Sequence, residues 1–402
     1  MKDCCDLCQS DQLEPVYRAP TGVRGLTVYV CRECGLVQSL PRIDHVPNRE
    51  VSVSGGADWG NIRYGKSFRT EQAIATLHKT IDMTRLSTCL DVGSNRGSFV
   101  TCLKTLAPQV AILAVEPDPN IVSEYSQING IEVVIDRIER LALPQGKFDL
   151  IYCNHTLEHL RSPRATLAQM REALSPQGVL LLEVPNVDFV ERDDVLEEWF
   201  IDKHLYHFSQ EILCRYLQLT GFSIIDFEAD AVLENLTVVA RQSESSIPVK
   251  KEAHCAEARK RLTQIRRYQA MIQRNEKAVQ DVARHIEELA RTNRVVLWGA
   301  GRIFDLLVRE GTLDVHALSG VVDKHLGELA GTAHGVPIQM PSEVSGLDPD
   351  IVMVASRTYF EEIRQEVRQI KASCTVLSVT DLLLGYSDAS KVFTQEIGAV
   401  VS

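Results

Sequence analysis

The stretch LDVGSNRGSFV, residues 90–100, constrains the fold more than any other part of this chain. An apolar run ends in Gly93, turns through Gly97 and enters an apolar helical pattern. A strand–turn–helix of this kind opens an α/β unit in which a ligand sits at the helix N-terminus. The middle glycine of a G-x-G-x-x-G turn is missing, and Asn95 stands near its place. That glycine lets the backbone approach a pyrophosphate, so a phosphate-free cofactor suits this turn better than a dinucleotide.

The surrounding pattern repeats the unit. "EQAIATLHKTIDM" reads as a helix, "TCLDVG" as the strand entering the turn, and "SFVTCLKTLA" as the helix leaving it. Strands recur at "AILAVEPD", "IEVVID", "KFDLIYCN" and "GVLLLEVP", with helical segments between them. This alternation predicts a parallel sheet covered on both faces. Glu116 ends the second strand about twenty residues past the turn, where an acid can accept both hydroxyls of a ribose. Further on, "DKHLYHFS" places His204 and His207 near the expected carboxyl end of the sheet. Either is a natural general base or a loop-ordering histidine.

A second opening follows at "RVVLWGAGRIFDLLV", with Gly299-x-Gly301 and then Asp323 ending "LSGVVD". This turn is open to three readings: dinucleotide binding, a substrate phosphate at the helix N-terminus, or pure architecture. Between the two units, residues 250 to about 291 contain neither Gly nor Pro. Ile265, Tyr268, Ile272, Val279, Val282, Ile286 and Leu289 form a heptad seam that only Asn275 interrupts. The helix either lies along its own domains or pairs with a second copy.

Five of the eleven cysteines lie in the first 34 residues. Cys5-x2-Cys8 and Cys31-x2-Cys34 put two thiolates on each of two tight turns, enough for a tetrahedral zinc site. Four thiolates close the site, so the expected role is structural; Cys4 is a spare. The short apolar runs between the pairs suit ribbon strands. A net charge of −11 gives no global attraction to nucleic acid. Neither a signal peptide nor an apolar run long enough for a membrane helix is read, which makes the cytoplasm the expected location.

The Asp91-x-Gly93-x-Asn95-x-Gly97 turn, the "VEPD" ending and "FDLIYCNHTLEHL" together resemble the class I S-adenosylmethionine-dependent methyltransferases. The resemblance implies Gly93 and Gly97 against the methionine part and Glu116 on the ribose. It also implies Asp136 near the adenine and Asn154, His155 and Thr156 lining the methyl-donor side. The full order of segments is similar to the three-domain sugar C-methyltransferases, which act on nucleotide-linked keto-deoxysugars. That likeness implies a general base at His204, a matching His159 and, more loosely, Tyr64. The family's Tyr-x-Glu-His reads Ile201-Asp202-Lys203-His204 here, so an oxygen or nitrogen acceptor stays open beside carbon. A nucleic-acid methyltransferase and a catalytically dead scaffold are the remaining alternatives.

The expected fold is α/β: a class I methyltransferase Rossmann-like core with an N-terminal zinc-ribbon module and a C-terminal Rossmann-like domain. The boundaries read as 1–50, 51–245, a linker helix over 246–292, and 293–402. The expected cofactors are S-adenosylmethionine and structural Zn2+, and the expected partner is a small-molecule acceptor, foremost a sugar nucleotide. No nucleic acid or membrane is expected as a partner, and the chain is a monomer or a homodimer through the 258–291 helix.

Overall fold

The computed structural model describes residues 4–18, 26–42, 68–119, 122, 125–190, 199–200, 204–230, 235–243, 254–329, 331–356 and 359–387. Chain order gives β1 (Leu13–Tyr17), β2 (Thr27–Cys31) and β3 (Val37–Leu40), then α1 (Phe68–Thr80), β4 (Thr88–Val92), α2 (Ser98–Leu106), β5 (Ala111–Val115) and β6 (Ile131–Val134). Next come β7 (Phe148–Asn154), α3 (Pro163–Ala173), β8 (Leu174–Pro185), β9 (Tyr206–His207), α4 (Gln210–Leu219), β10 (Phe222–Asp230) and β11 (Asn235–Gln242).

Seven strands form one sheet in the order β10-β11-β8-β7-β4-β5-β6. Strands β4 to β8 are mutually parallel, and β11 runs against both neighbours. Parallel strands are buried on both faces, which is why they read as unbroken apolar runs. Successive residues point to opposite sides. Cys89, Leu150 and Leu181 pack with Ile74 and Leu77 of α1 and Val100 and Leu103 of α2. Leu90, Ile151 and Leu182 pack with Leu167 and Met170 of α3 and Leu213 and Tyr216 of α4. The strand order reverses between β4 and β7, the crevice in which open α/β sheets bind ligands.

The N-terminal strands form a separate sheet, β1-β2-β3-β9. Its fourth strand comes from the segment between β8 and α4, with Val37 opposite His207 and Gln38 opposite Tyr206. The ribbon, the seven-stranded sheet and the next helix up to Arg266 form one unit.

That helix, α5 (His254–Ala290), is a single element. In the first unit Arg261 is fully buried and bonds Glu257 at 2.7 Å and Asp188 at 2.6 Å. In the second unit Val279, Val282 and Ile286 share a core with Leu297, Ile303, Phe304 and Leu307. Ile265, Tyr268 and the interrupting Asn275 are also buried in the single chain. Ile272 and Leu289 of the seam are half-buried.

The second unit continues with β12 (Val295–Trp298), α6 (Arg302–Arg309), β13 (Gly320–Val322), α7 (Lys324–Leu329), β14 (Thr332–Ala333) and β15 (Val336–Gln339). It ends with α8 (Val344–Leu347), β16 (Ile351–Val354), α9 (Phe360–Ile370), β17 (Thr375–Ser378) and α10 (Val379–Tyr386). Strands β15-β13-β12-β16-β17 are parallel in that order, with β14 antiparallel on the edge. Among the described residues no helix is long and apolar enough to cross a membrane.

Candidate active site

The turn after β4 is left-handed at three of its positions, Gly93, Asn95 and Gly97 (φ 75°, 50° and 75°). Asn tolerates that region better than other side chains, and its own Oδ1 accepts from the Arg96 amide at 2.7 Å. The two glycines are required by the protein itself. A Cβ at Gly93 would lie 2.1 Å from Thr156 Oγ1, and one at Gly97 would lie 2.2 Å from the Tyr125 ring. Thr156 follows β7, so the first of these contacts closes the base of the switch-point crevice.

Glu116 braces the turn. Its Oε2 accepts from the Asn95 amide at 2.8 Å and its Oε1 from the Asp118 amide at 3.0 Å. Asp91, beneath it in β4, is fully buried, and neither carboxylate oxygen has a hydrogen-bond partner among the described residues. Burial pushes both carboxyls above their usual range, and Glu116 adds to the shift at Asp91. Asp136 follows β6, half-exposed, and accepts from Arg140 Nη1 at 3.2 Å.

The carboxyl end of β7 carries a histidine cluster. Asn154, His155 and Thr156 are half-buried; Asn154 Nδ2 donates to Tyr152 Oη at 2.7 Å. His155 is left-handed (φ 44°), a conformation a non-glycine residue holds only when its surroundings impose it. Here its amide donates to Glu183 O at 2.9 Å, while its ring meets Glu183 Oε1 at 3.1 Å and Glu158 Oε1 at 3.5 Å. Burial and Arg69 oppose a charge on His155, but hydrogen bonds to Glu158 and Glu183 leave its pKa raised.

His159 Nε2 lies 3.9 Å from the same Glu158 oxygen, and the His159 and His204 ring centroids are 5.0 Å apart. Burial also opposes the charge of Glu158, yet His159, His155 and His204 hold its pKa near 2. His204 is shifted well below its ordinary value, by burial first and by His159 second. Donor atoms of Glu158, His159 and His204 all lie within 4.8 Å of one another, a set that can also receive a divalent ion. His207 is different. It is fully enclosed between Phe200 and the ribbon, and burial pushes its pKa down to about 3.

The predicted turn, acid, β7 segment and two histidines thus meet at one end of the sheet. Tyr64 and Lys203 lie outside the described residues. Sequence reasoning left Glu158 and Glu183 without roles, although both stand in the segments it singled out. The signal was their place at the carboxyl ends of β7 and β8.

In the ribbon, Cys5 Sγ lies 3.4 Å from Cys34 Sγ, and Cys8 Sγ lies 3.6 Å from Cys31 Sγ. These separations are too long for disulfides. Four sulfurs about 2.3 Å from a central zinc would lie about 3.8 Å apart, so the cluster has the size of a tetrahedral site. All four sulfurs fall within 4.8 Å of one another.

The second unit's turn is braced in the same way. Asp323 Oδ2 accepts from the Ala300 amide at 2.9 Å and Oδ1 from the Leu326 amide at 2.9 Å. A Cβ at Gly299 would lie 2.9 Å from Ala355 O. Asp305, in the first turn of α6, puts a negative charge where a phosphate would bind.

The sheet with one reversed strand and the glycine turn at its switch point have the fold of a class I methyltransferase domain. Residues 66–226 match a family model described as a methyltransferase domain, and residues 291–375 match one described as C2185-like, N-terminal. Among curated proteins, the chain is similar to a tRNA U34 carboxymethyltransferase of Syntrophotalea carbinolica. That match is 32% identical, covering 25% of this chain and 32% of the relative. It is also similar to the C-methyltransferase NovU of Streptomyces niveus, 24% identical over 50% of this chain and 47% of that one. The chain thus spans about a third to a half of these relatives' length. Among solved structures, a Burkholderia thailandensis 1,6-didemethyltoxoflavin-N1-methyltransferase aligns at 17% identity and a TM-score of 0.37. It covers 57% of this chain and 100% of that one.

Proposed function

We propose that this protein transfers the methyl group of S-adenosylmethionine to a small acceptor, and that the acceptor is a carbon next to the keto group of a nucleotide-linked deoxysugar. The observation that carries this reading is the pairing of His204 with Glu158 and His159 at the end of the sheet that also holds the Gly93–Gly97 turn. The cofactor, when bound, supplies an electrophilic methyl on a cationic sulfonium. Two buried carboxyls, Asp91 and Glu116, suit a cationic ligand and disfavour a pyrophosphate. His204, neutral at ordinary pH, takes the proton from the acceptor, and Glu158 stabilises the imidazolium that results.

The likeness to a C-methyltransferase over half the chain supports carbon as the acceptor atom. The likeness to a tRNA-modifying enzyme covers only a quarter of the chain. The four thiolates hold a structural zinc, and the second unit's glycine turn is architectural, since Asp305 stands in the first turn of α6 where a phosphate would bind.

The test is incubation with S-adenosylmethionine and a panel of keto-sugar nucleotides in deuterated water. Carbon-bound hydrogen should exchange in a His204-dependent manner, and the new methyl should sit on that carbon. A methyl on oxygen or nitrogen, with no exchange, sinks the C-methylation reading and leaves methyl transfer standing. Failure to bind adenosylhomocysteine by calorimetry would sink both.

A further inference from the structure

We propose that Asp6, between the paired cysteines Cys5 and Cys8, is a positioning residue for the His159–His204 pair; this rests on the reading that the pair handles the acceptor's proton. Asp6 is 3% exposed, and its carboxylate gathers three donors: Ser162 Oγ at 2.6 Å, the Arg164 amide at 3.0 Å and Tyr216 Oη at 3.1 Å. Ser162 is the N-cap of α3, three residues beyond His159, so the cysteine turn grips the end of the loop that carries this histidine. Hydrogen bonds to a buried carboxylate are roughly twice as strong as neutral ones.

The same turn reaches His204 by the opposite route. The Asp6 amide donates to Gln38 Oε1 at 3.1 Å, and Gln38 Nε2 donates to Cys4 O at 3.1 Å. Gln38 lies in β3, which pairs with β9, and the Ser39 amide donates to Leu205 O at 2.8 Å. The circuit closes where the Leu205 amide donates to Glu158 O at 2.8 Å and Tyr206 Oη donates to Arg161 O at 2.7 Å. The 157–162 loop is thereby hung from the Asp6 carboxylate, and the His204 segment is tied to that loop through the Leu205 and Tyr206 bonds. The cofactor turn lies outside this circuit: its bonds run to Val115, Glu116 and Tyr125. Asp6 thus orients the acceptor side of the site and leaves the cofactor side alone.

Full-length Asp6→Ala and Asp6→Asn, each checked for zinc content, test this by three readouts. These are amide hydrogen exchange over 157–162 and 204–208, C2-hydrogen exchange of the His159 and His204 rings, and adenosylhomocysteine affinity by calorimetry. In Asp6→Ala, amide exchange in both segments should rise about tenfold or more. Both ring rates should change, and adenosylhomocysteine Kd should stay within about twofold of the parent. Asp6→Asn, which keeps an acceptor but loses the charge, should fall between. Unchanged exchange in both variants overturns the proposal, as does a loss of adenosylhomocysteine affinity in step with exchange. If Asp6→Ala does not fold, Tyr216→Phe removes one donor and should raise the same amide rates about threefold; no rise overturns the proposal. The base reading fails separately, if His204→Gln leaves turnover of keto-sugar nucleotides intact.

Discussion

A proton on His204 is less favourable than on a free imidazole, because burial and the His159 ring both oppose it. Glu158 works in the other direction, so the basicity of His204 depends on that carboxylate staying charged. In Glu158→Gln the counter-charge is gone and His204 becomes a weaker base. The acid limb of the pH–rate profile with a keto-sugar nucleotide should move to lower pH, and the plateau should fall about tenfold or more. A profile that does not move would show that His204 does not take the proton. His207 gives a stability effect instead. Unfolded, it takes a proton near 6.5; folded, only near 3. Its contribution is intact above pH 6.5 and lost as pH falls toward 3, which amounts to about 3 kcal/mol by pH 4.5. Urea unfolding of His207→Leu at pH 7 and 4.5 should therefore show a pH dependence flatter than the parent's by about that amount.

Two elements join what the chain keeps far apart in sequence. The ribbon borrows β9 from residues more than a hundred and fifty positions away, and α5 holds the Asn186–Val190 loop through Arg261 and Gln264, whose Nε2 donates to Val187 O at 3.1 Å. Metal analysis should find about one zinc per chain, and none after Cys31→Ser with Cys34→Ser. Replacing Arg261 by Met leaves Glu257 to Ser209 and Asp188 to Lys260. Unfolding by urea should register a loss of about 3 kcal/mol, the low end for a broken buried pair. The apolar runs of β4 to β8 were legible in the sequence because parallel strands must be apolar on both faces, and the cysteine spacing disclosed its two turns. Strand β9 was not legible: two residues carry no periodicity, and their pairing depends on β3. Glu158 and Glu183 were equally hidden, since their roles come from His155, from His204 and, for Glu183, from Asn235 at 3.1 Å across the sheet. Of the heptad seam, Ile265, Tyr268, Val279, Val282 and Ile286 are buried, while Ile272 and Leu289 are half-buried. Spacing alone does not say whether the covering surface is a second copy or the same chain.

Among the described residues two sheets are mainly parallel, each with a glycine turn at its switch point and an acid that braces the turn. The braces are equivalent: Glu116 takes the Asn95 amide and Asp323 the Ala300 amide. Their surroundings are not. The first crevice keeps a buried Asp91 without a donor among the described residues, whereas the second carries Asp305 at the start of α6. A cationic adenosyl ligand therefore gains from the first unit and finds nothing equivalent in the second. Because the chain divides into two compact units, calorimetric unfolding should resolve two transitions. Adenosylhomocysteine at about a hundred times its Kd should stabilise one of them by roughly 2.7 kcal/mol, a rise of about 5 to 10 °C for a unit of this size. Glu116→Ala should reduce that shift, because the turn loses its brace. The second transition should stay where it is. Its movement on adding adenosylhomocysteine, with the first transition still resolved, would show that the Gly299 turn binds ligand and is more than architecture.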